Sequence, residues 1–372
     1  MKNPKDRIIT ATLLLIFLFL FASIIISSAS EVTTSARAAT LYEPLTDTFL
    51  YSKNQNARLP MASTTKIMTA LVAIENYPLD TEVKIADEAC GIEGSSLYLR
   101  AGESMTMREL LYGLMLRSAN DAAAAIAYAV AGSVSNFADM MNARAEKLGL
   151  TDTHFANPHG LDDEEHYTTA RELAIISAEA IKNPTFKEIV STYKKTISGP
   201  DDTKRLVVNH NKLLNMYDGA IGMKTGYTKK CGRCLVGAAE RDGLTFISVT
   251  IDAPDDWNDH MRMLDYGYSL MEMRSIAEAG QFAYDIPVIN GKESVLRVSN
   301  KDGLRAVMMK SDPEIEAYVS VPRYIVSGVK AGDEIGKVIF KKDDEYFAEV
   351  AIIAENSVSI KEKKGLFPFF KK

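Results

Sequence analysis

Residues 59–69 read Leu-Pro-Met-Ala-Ser-Thr-Thr-Lys-Ile-Met-Thr, and the prediction of the fold begins with this segment. Ser63 and Lys66 stand three positions apart in it, and the apolar residues that follow recur at helical spacing as far as Ile74. Side chains three apart on a helix share one face. The lysine amine can therefore accept the serine proton while the hydroxyl attacks an acyl carbon, which predicts a serine nucleophile with a lysine base.

This spacing is weak evidence when it stands alone, because Ser191 to Lys194 and Ser327 to Lys330 repeat it. Two further short motifs follow along the chain. Ser118-Ala119-Asn120 precedes an alanine-rich helical stretch, and Lys224-Thr225-Gly226 precedes a β-rich hairpin. The order of the three motifs, each in its expected structural context, is typical of penicillin-recognising serine acyl enzymes.

The sequence resembles the D-alanyl-D-alanine carboxypeptidase family, the low-molecular-weight penicillin-binding proteins. The likeness also includes Gly94-Ser95-Ser96 and Asn157-Pro158-His159-Gly160-Leu161, and it covers about residues 39–355. It implies an α/β sandwich of the penicillin-recognising serine transferase/β-lactamase type, with an antiparallel sheet, helices on both sides and a helical cluster, followed by a small all-β domain. It further implies release of the terminal D-alanine from peptidoglycan stem pentapeptides ending in D-Ala-D-Ala, through an acyl-enzyme that β-lactams trap.

The resemblance also gives each candidate site residue a role. Ser63 is the nucleophile, Lys66 is its base, and Ser118 relays the proton to the departing amine. A base must be uncharged, so we expect burial and the nearby charge of Lys224 to lower the pKa of Lys66. The substrate-binding residues are Asn120 for the peptide, Lys224 and Thr225 for the terminal carboxylate, Gly226 for close approach of the peptide, and Tyr227, whose backbone N–H joins that of Ser63 at the oxyanion.

The composition restricts the classes of function. The 372 residues are 47% hydrophobic and 25% charged, which is typical of a globular protein of about two domains. Lys and Arg number 43 against 49 Asp and Glu, giving a net charge of −6, and this balance argues against nucleic acid as a partner. The five histidines lack H-E-x-x-H spacing, and the expected chemistry needs neither a metal nor a cofactor.

Both ends of the sequence indicate export or contact with a membrane. Basic residues precede an apolar run from Ile8 to Ile26, so residues 1–30 are predicted to be a signal peptide or an uncleaved membrane anchor. Residues 356–372 form a basic and aromatic tail, which suits either a solvated end or a weak contact with lipid headgroups. We therefore expect an exported protein, secreted or at the extracytoplasmic face of the bacterial cell membrane.

The pattern between the two ends changes near Gly280. Residues 39–280 mix short strands with long helical stretches, the last from Trp257 to Arg274, and are assigned to the catalytic domain. Residues 281–355 show short alternating runs separated by turn residues and are assigned to a C-terminal β-rich domain. The predicted strands of this domain are Val295–Val298, Ala317–Val321, Lys337–Phe340 and Tyr346–Ile353.

Two features depart from the family pattern. Cys231 and Cys234 form a C-x-x-C pair, but positions three apart in a strand point to opposite faces, so the sequence predicts neither a shared metal nor a disulfide there. Asp255 and Asp256 stand where relatives tend to carry an arginine that helps to bind the substrate carboxylate. Lys224 is therefore expected to have less support at the carboxylate than it has in relatives.

Two other functions fit parts of the same sequence. A β-lactamase shares the three motifs and needs a deacylating base, for which Glu164 and Glu165 stand in a loop of suitable order. A non-catalytic penicillin-binding scaffold protein would keep the pocket without turnover. The β-rich domain and the segment 157–161 favour the carboxypeptidase over the β-lactamase.

Overall fold

A five-stranded antiparallel sheet organises the first part of the chain in the computed structural model, which describes residues 32–201 and 203–361. The strands of this part are β1 (Ala38–Glu43), β2 (Thr48–Lys53), β3 (Glu82–Lys84), β4 (Ser104–Thr106), β5 (Lys194–Ser198), β6 (Lys204–Val208), β7 (Ala220–Thr228), β8 (Gly232–Arg241) and β9 (Leu244–Ile251). The large sheet has the order β2-β1-β9-β8-β7, while β3 pairs with β4 and β5 with β6. The predicted hairpin is confirmed and consists of β8 and β9. Asp242 and Gly243 form the turn between these strands, and both have a positive φ.

Helices cover both faces of the large sheet. The last long helix and the short helix that carries Leu213 close a core around Leu41, Leu235 and Phe246, and the remaining helices bury a larger core on the opposite face. This arrangement confirms the predicted sandwich. The helices are α1 (Lys66–Asn76), α2 (Met107–Leu116), α3 (Asn120–Ala131), α4 (Val134–Lys147), α5 (Ala170–Ile181), α6 (Pro184–Ser191), α7 (Leu213–Met216) and α8 (Asp256–Leu270), with short 3-10 turns at Ala62–Thr65 and Asp87–Ala89.

The remainder of the described chain is all β, as predicted. A six-stranded sheet buries its own apolar core, which includes Leu296, Val338 and Phe340. The strands are β10 (Met271–Ala277), β11 (Tyr284–Ile289), β12 (Val295–Asn300), β13 (Leu304–Met309), β14 (Glu316–Ser320), β15 (Ile325–Val326), β16 (Glu334–Lys342) and β17 (Glu345–Ala354). The sheet has the order β14-β16-β17-β12-β11-β15, and β10 pairs with β13.

The end of the predicted helix from Trp257 to Arg274 is wrong. Helix α8 ends at Leu270, and the next residues form β10 because their backbone pairs with β13. This long-range pairing overrides the local helical pattern. The limits 39–280 and 281–355 remain predictions.

The end segments lie outside the described residues, which include neither residues 1–30 nor most of the tail from 356 to 372. Within the described ranges, every helix is too short or too polar to cross a bilayer.

Candidate active site

The nucleophile candidate lies in a tight turn just before α1. Ser63 belongs to the 3-10 turn, and Lys66, three residues later, is the first residue of the α-helix. Side chains at i and i+3 eclipse each other in a 3-10 turn, so Ser63 and Lys66 still share one face. The Lys66 Nζ atom lies 3.0 Å from Ser63 Oγ.

The two threonines between these residues hold the turn in place. The hydroxyl of Thr64 donates to the Met61 carbonyl at 2.6 Å, and that of Thr65 donates to the Ala62 carbonyl at 2.7 Å. Ala62 has a φ of 47°, a left-handed value that costs energy for a residue with a Cβ atom. The turn therefore stores local strain, and its side-chain hydrogen bonds offset that strain.

Gly160 packs directly against this turn. Its φ is 85°, and a Cβ atom added there would lie 2.0 Å from the Ala62 carbonyl oxygen. The turn thus meets the segment 157–161 at a distance that only glycine permits. This contact also brings the His159 carbonyl to the Lys66 amine, to which it is hydrogen-bonded.

The Lys66 amine is fully buried and has three oxygen partners. Besides Ser63 Oγ and the His159 carbonyl, it donates to Asn120 Oδ1 at 2.7 Å. The Asn120 amide is oriented by its Nδ2, which donates to the Glu93 carbonyl at 2.6 Å. Burial, followed by the charge of Lys224, holds the pKa of Lys66 well below its usual range. This is the expected direction.

The pattern of partners suits an uncharged amine. A neutral amine has two N–H donors and one lone pair, and both the Asn120 oxygen and the His159 carbonyl can only accept. These two oxygens occupy both donors. The lone pair is left for the remaining partner, the Ser63 hydroxyl, which can donate a proton to it.

Ser118 reaches the site on a strained backbone just before α3. It is buried and has a φ of 61°, which places it in the left-handed region. Asp121, the second residue of the helix, accepts from the Ser96 hydroxyl at 2.6 Å and from the backbone N–H groups of Leu97 and Leu99 at 3.0 Å. The start of α3 therefore holds the neighbouring loop, residues 96–99, in place.

Lys224, Thr225 and Gly226 lie on β7, the outermost strand of the large sheet. Lys224 is buried, and burial lowers its pKa to about 7. Its amine donates to the Thr225 carbonyl at 2.8 Å. A Cβ atom on Gly226 would lie 3.1 Å from the Ser63 nitrogen, so the strand closely approaches the turn that carries Ser63.

The predicted residues meet around one cleft of about 370 Å³. Lys66, Asn120 and Lys224 lie buried beside it. Glu164 and Glu165 are exposed and are not among its lining residues. The predicted residues that line the cleft are Ser63, Ser118, Thr225, Gly226 and Tyr227.

Sequence reasoning missed Arg233. This residue lies on β8 and lines the same cleft. Its guanidinium makes two hydrogen bonds with the buried carboxylate of Asp256, from Nη2 at 2.8 Å and from Nε at 3.1 Å. An arginine thus lines the cleft together with Thr225, although it lies on a strand and not at the helix start where relatives tend to carry one. The acidic residue that breaks the family pattern holds it there.

The prediction for Cys231 and Cys234 is wrong in its geometry. Their sulfur atoms lie 2.9 Å apart, and both side chains are buried. Cys231 belongs to the turn before β8, and Gly232 then reverses the chain direction with a φ of 68°. The alternation of side chains along a strand therefore does not apply to this pair. Among the described residues, no group of three or more His, Cys, Asp or Glu side chains is arranged to hold a metal ion.

Comparison with known proteins gives consistent matches along the chain. Residues 25–255 match the family described as D-alanyl-D-alanine carboxypeptidase, and residues 272–359 match the C-terminal domain of penicillin-binding protein 5. The chain is 32% identical to the D-alanyl-D-alanine carboxypeptidase DacF of Bacillus subtilis over 353 residues, covering 92% of this chain and 90% of that protein. It is 36% identical to DacB2 of Mycobacterium tuberculosis over 236 residues, covering 61% and 80%. The crystal structure of DacD from Francisella tularensis superposes with a TM-score of 0.64 at 28% identity, covering 91% of this chain and 97% of that one.

Proposed function

The chain belongs to the D-alanyl-D-alanine carboxypeptidase family, and we propose that Ser63, Lys66 and Ser118 carry out its reaction. It is a serine-type D-Ala-D-Ala carboxypeptidase that acts on peptidoglycan stem peptides, forms an acyl-enzyme and is inhibited by β-lactams. The residue assignment rests on the hydrogen bonds of the Lys66 amine. This amine contacts Ser63 Oγ and two further oxygens that can only accept hydrogen bonds.

Acylation begins with proton transfer from Ser63 to Lys66. The lowered pKa of Lys66 favours its neutral amine, so the lone pair can take the hydroxyl proton as Oγ attacks the carbonyl carbon between the two D-alanines. The negative charge that develops on the carbonyl oxygen is stabilised by the backbone N–H groups of Ser63 and Tyr227. Ser118 passes the proton to the departing amine of D-alanine.

Substrate binding uses the exposed edge of the sheet. The peptide lies extended along β7, where Gly226 permits close approach to Ser63. Lys224, the Thr225 hydroxyl and Arg233 hold the terminal carboxylate, and Asn120 contacts the peptide while also positioning Lys66. Water then hydrolyses the acyl-enzyme. Glu164 and Glu165 are exposed and do not line the cleft, which does not support either of them as a deacylating base of the β-lactamase kind.

The assignment is tested by labelling and turnover. Labelled penicillin should modify wild-type protein at Ser63, and D-alanine should be released from diacetyl-lysyl-D-Ala-D-Ala; both should be lost in Ser63→Ala. The matched control is Ser191→Ala, because Ser191 also stands three residues before a lysine but is exposed and does not line the cleft. Label that persists in Ser63→Ala would refute the assignment.

We further propose that the protein is exported and held at the membrane surface through one of its ends. The basic start with its apolar run supports export, and the basic and aromatic tail supports contact with anionic headgroups. Cell fractionation of full-length protein, of a variant lacking residues 1–30 and of one lacking residues 362–372 tests this. Export should fail only in the variant that lacks residues 1–30. If the variant that lacks residues 362–372 associates with the membrane as strongly as the full-length protein, the tail is not the membrane contact.

A further inference from the structure

We propose that Cys231 and Cys234 form a reversible disulfide beside the active site. Their sulfur atoms lie 2.9 Å apart, so a bond of about 2.05 Å requires an approach of only about 0.9 Å. Both residues are free thiols in the structure. The chain places them on either side of Gly232 and Arg233, and the turn before β8 provides the bend that a straight strand would lack.

The surroundings favour a disulfide over a metal site. The two thiols have no third His, Cys, Asp or Glu side chain arranged with them among the described residues, whereas a stable zinc site uses three or four protein ligands. The ring closed by the bond would contain only four residues. Because a disulfide stabilises a protein less when the loop it closes is shorter, this one would add little stability and suits a reversible role.

The reaction requires an oxidant, and a low-molecular-weight disulfide supplies it. One cysteine thiolate attacks a sulfur atom of that disulfide, forms a mixed disulfide and releases one thiol. The second cysteine loses its proton and attacks the mixed disulfide, which forms the Cys231–Cys234 bond and releases the second thiol. Two electrons pass from the cysteines to the oxidant. Cys234 lines the cleft, so the oxidant approaches its buried sulfur atom from there.

The state of the pair is connected to the segment that carries the nucleophile. In the thiol form, Cys231 Sγ donates to the Pro60 carbonyl at 2.9 Å, and Pro60 lies three residues before Ser63. A disulfide has no S–H group, so oxidation removes this hydrogen bond. The bond also constrains Arg233, which lies between the two cysteines. Oxidation should therefore loosen the turn and slow acylation of Ser63 by roughly threefold to tenfold.

The thiol count tests the disulfide directly. Full-length protein is equilibrated with oxidised glutathione, denatured and alkylated. Only Cys90 should react with the alkylating reagent, and the intact mass measured before alkylation should be lower by two hydrogen atoms. Dithiothreitol should restore all three reactive thiols. Three alkylated cysteines after oxidation, or glutathione retained on Cys231 or Cys234, would overturn the proposal. Cys90→Ala is the matched control and should still form the disulfide.

The acylation rate tests the connection to the site. This effect rests on the proposed role of Ser63, whereas the disulfide does not, so the two can fail separately. Labelled penicillin should react more slowly with oxidised than with reduced protein, both in the wild type and in Cys90→Ala. In Cys231→Ala the rate should not respond to glutathione. A disulfide that forms without any change in rate would refute the connection to Ser63.

Discussion

The side-chain oxygen of Asn120 lies 2.7 Å from the Lys66 amine, and the other end of the same amide donates to the Glu93 carbonyl. The Glu93 contact fixes which end of the amide faces the lysine. Asn120 therefore presents a neutral acceptor to Lys66. A neutral acceptor can hold the amine in position without stabilising its protonated form as strongly as a carboxylate would.

Replacing this neutral acceptor by a charged one should disable the base. In Asn120→Asp, a carboxylate of almost the same shape would raise the pKa of Lys66, because an opposite charge favours the protonated amine. Acylation by labelled penicillin at pH 7 should fall roughly a hundredfold and recover as the pH rises. Asn136→Asp makes the same change at an exposed position on α4 and should acylate normally. A pH profile identical to that of the wild type would contradict the proposed role of Asn120.

A second prediction concerns the alkaline side of the pH profile. Burial lowers the pKa of Lys224 to about 7, and only the charged amine attracts the substrate carboxylate. The charge is present below this pKa and is lost as the pH rises through it. We therefore expect kcat/KM for the peptide to decrease as the pH rises, and to do so at a pH much lower than 10. In Lys224→Arg the alkaline fall should disappear, since a guanidinium stays protonated.

Lys212→Arg is the control for this prediction, because Lys212 lines the same cleft but is exposed. Its profile should match that of the wild type. The informative quantity is the shape of each profile, since arginine can lower the absolute rate at position 224 by its size alone. A wild-type kcat/KM that stayed level to pH 10 would exclude Lys224 as the group that binds the carboxylate.

A third prediction separates two roles of Arg233. Its removal in Arg233→Ala takes a cation from the cleft and leaves the buried Asp256 carboxylate without its partner. We expect KM for the D-Ala-D-Ala peptide to rise roughly tenfold with little change in kcat, and the melting temperature to fall. The double variant Arg233→Ala/Asp256→Asn should recover stability but keep the high KM. If it also recovered the wild-type KM, Arg233 would be only a structural partner of Asp256.

The sequence predicts those parts of the site whose geometry is local. Ser63 and Lys66 meet because helical turns align residues three apart, and either a 3-10 turn or an α-helix achieves this. Lys224 to Gly226 were placed correctly on a strand before the hairpin because turn residues mark its end. That these segments face one another required the resemblance to a family, since local periodicity contains no information about which elements pack together.

The missed features depend on packing between distant segments. His159 contributes a backbone carbonyl, and any residue type could provide it. Arg233 is held in the cleft by Asp256, which lies 23 positions further along the chain. The error at Cys231 has a different cause, because β8 begins one residue after it and the alternation of faces along a strand does not extend to Cys231. A left-handed glycine such as Gly232 signals such a turn in the sequence only weakly.

Gly160 provides the most direct test of how the active-site turn is held. Alanine at this position would meet the Ala62 carbonyl at 2.0 Å and would also adopt an unfavourable φ of 85°. The turn that carries Ser63 and the His159 carbonyl must then separate. Gly160→Ala should unfold at a temperature several degrees lower than the wild type and acylate at least tenfold more slowly.

Gly132→Ala separates backbone strain from the clash. Gly132 ends α3 with a φ of 75°, and a Cβ atom there would meet nothing within 4 Å. This variant should lose about 1 kcal/mol from backbone strain and keep its acylation rate. The additional loss in Gly160→Ala then measures the contact with Ala62. Equal stability losses and normal acylation in both variants would mean that the segment 157–161 can move away from the turn without disturbing Ser63 or Lys66, and that the contact does not hold the active site together.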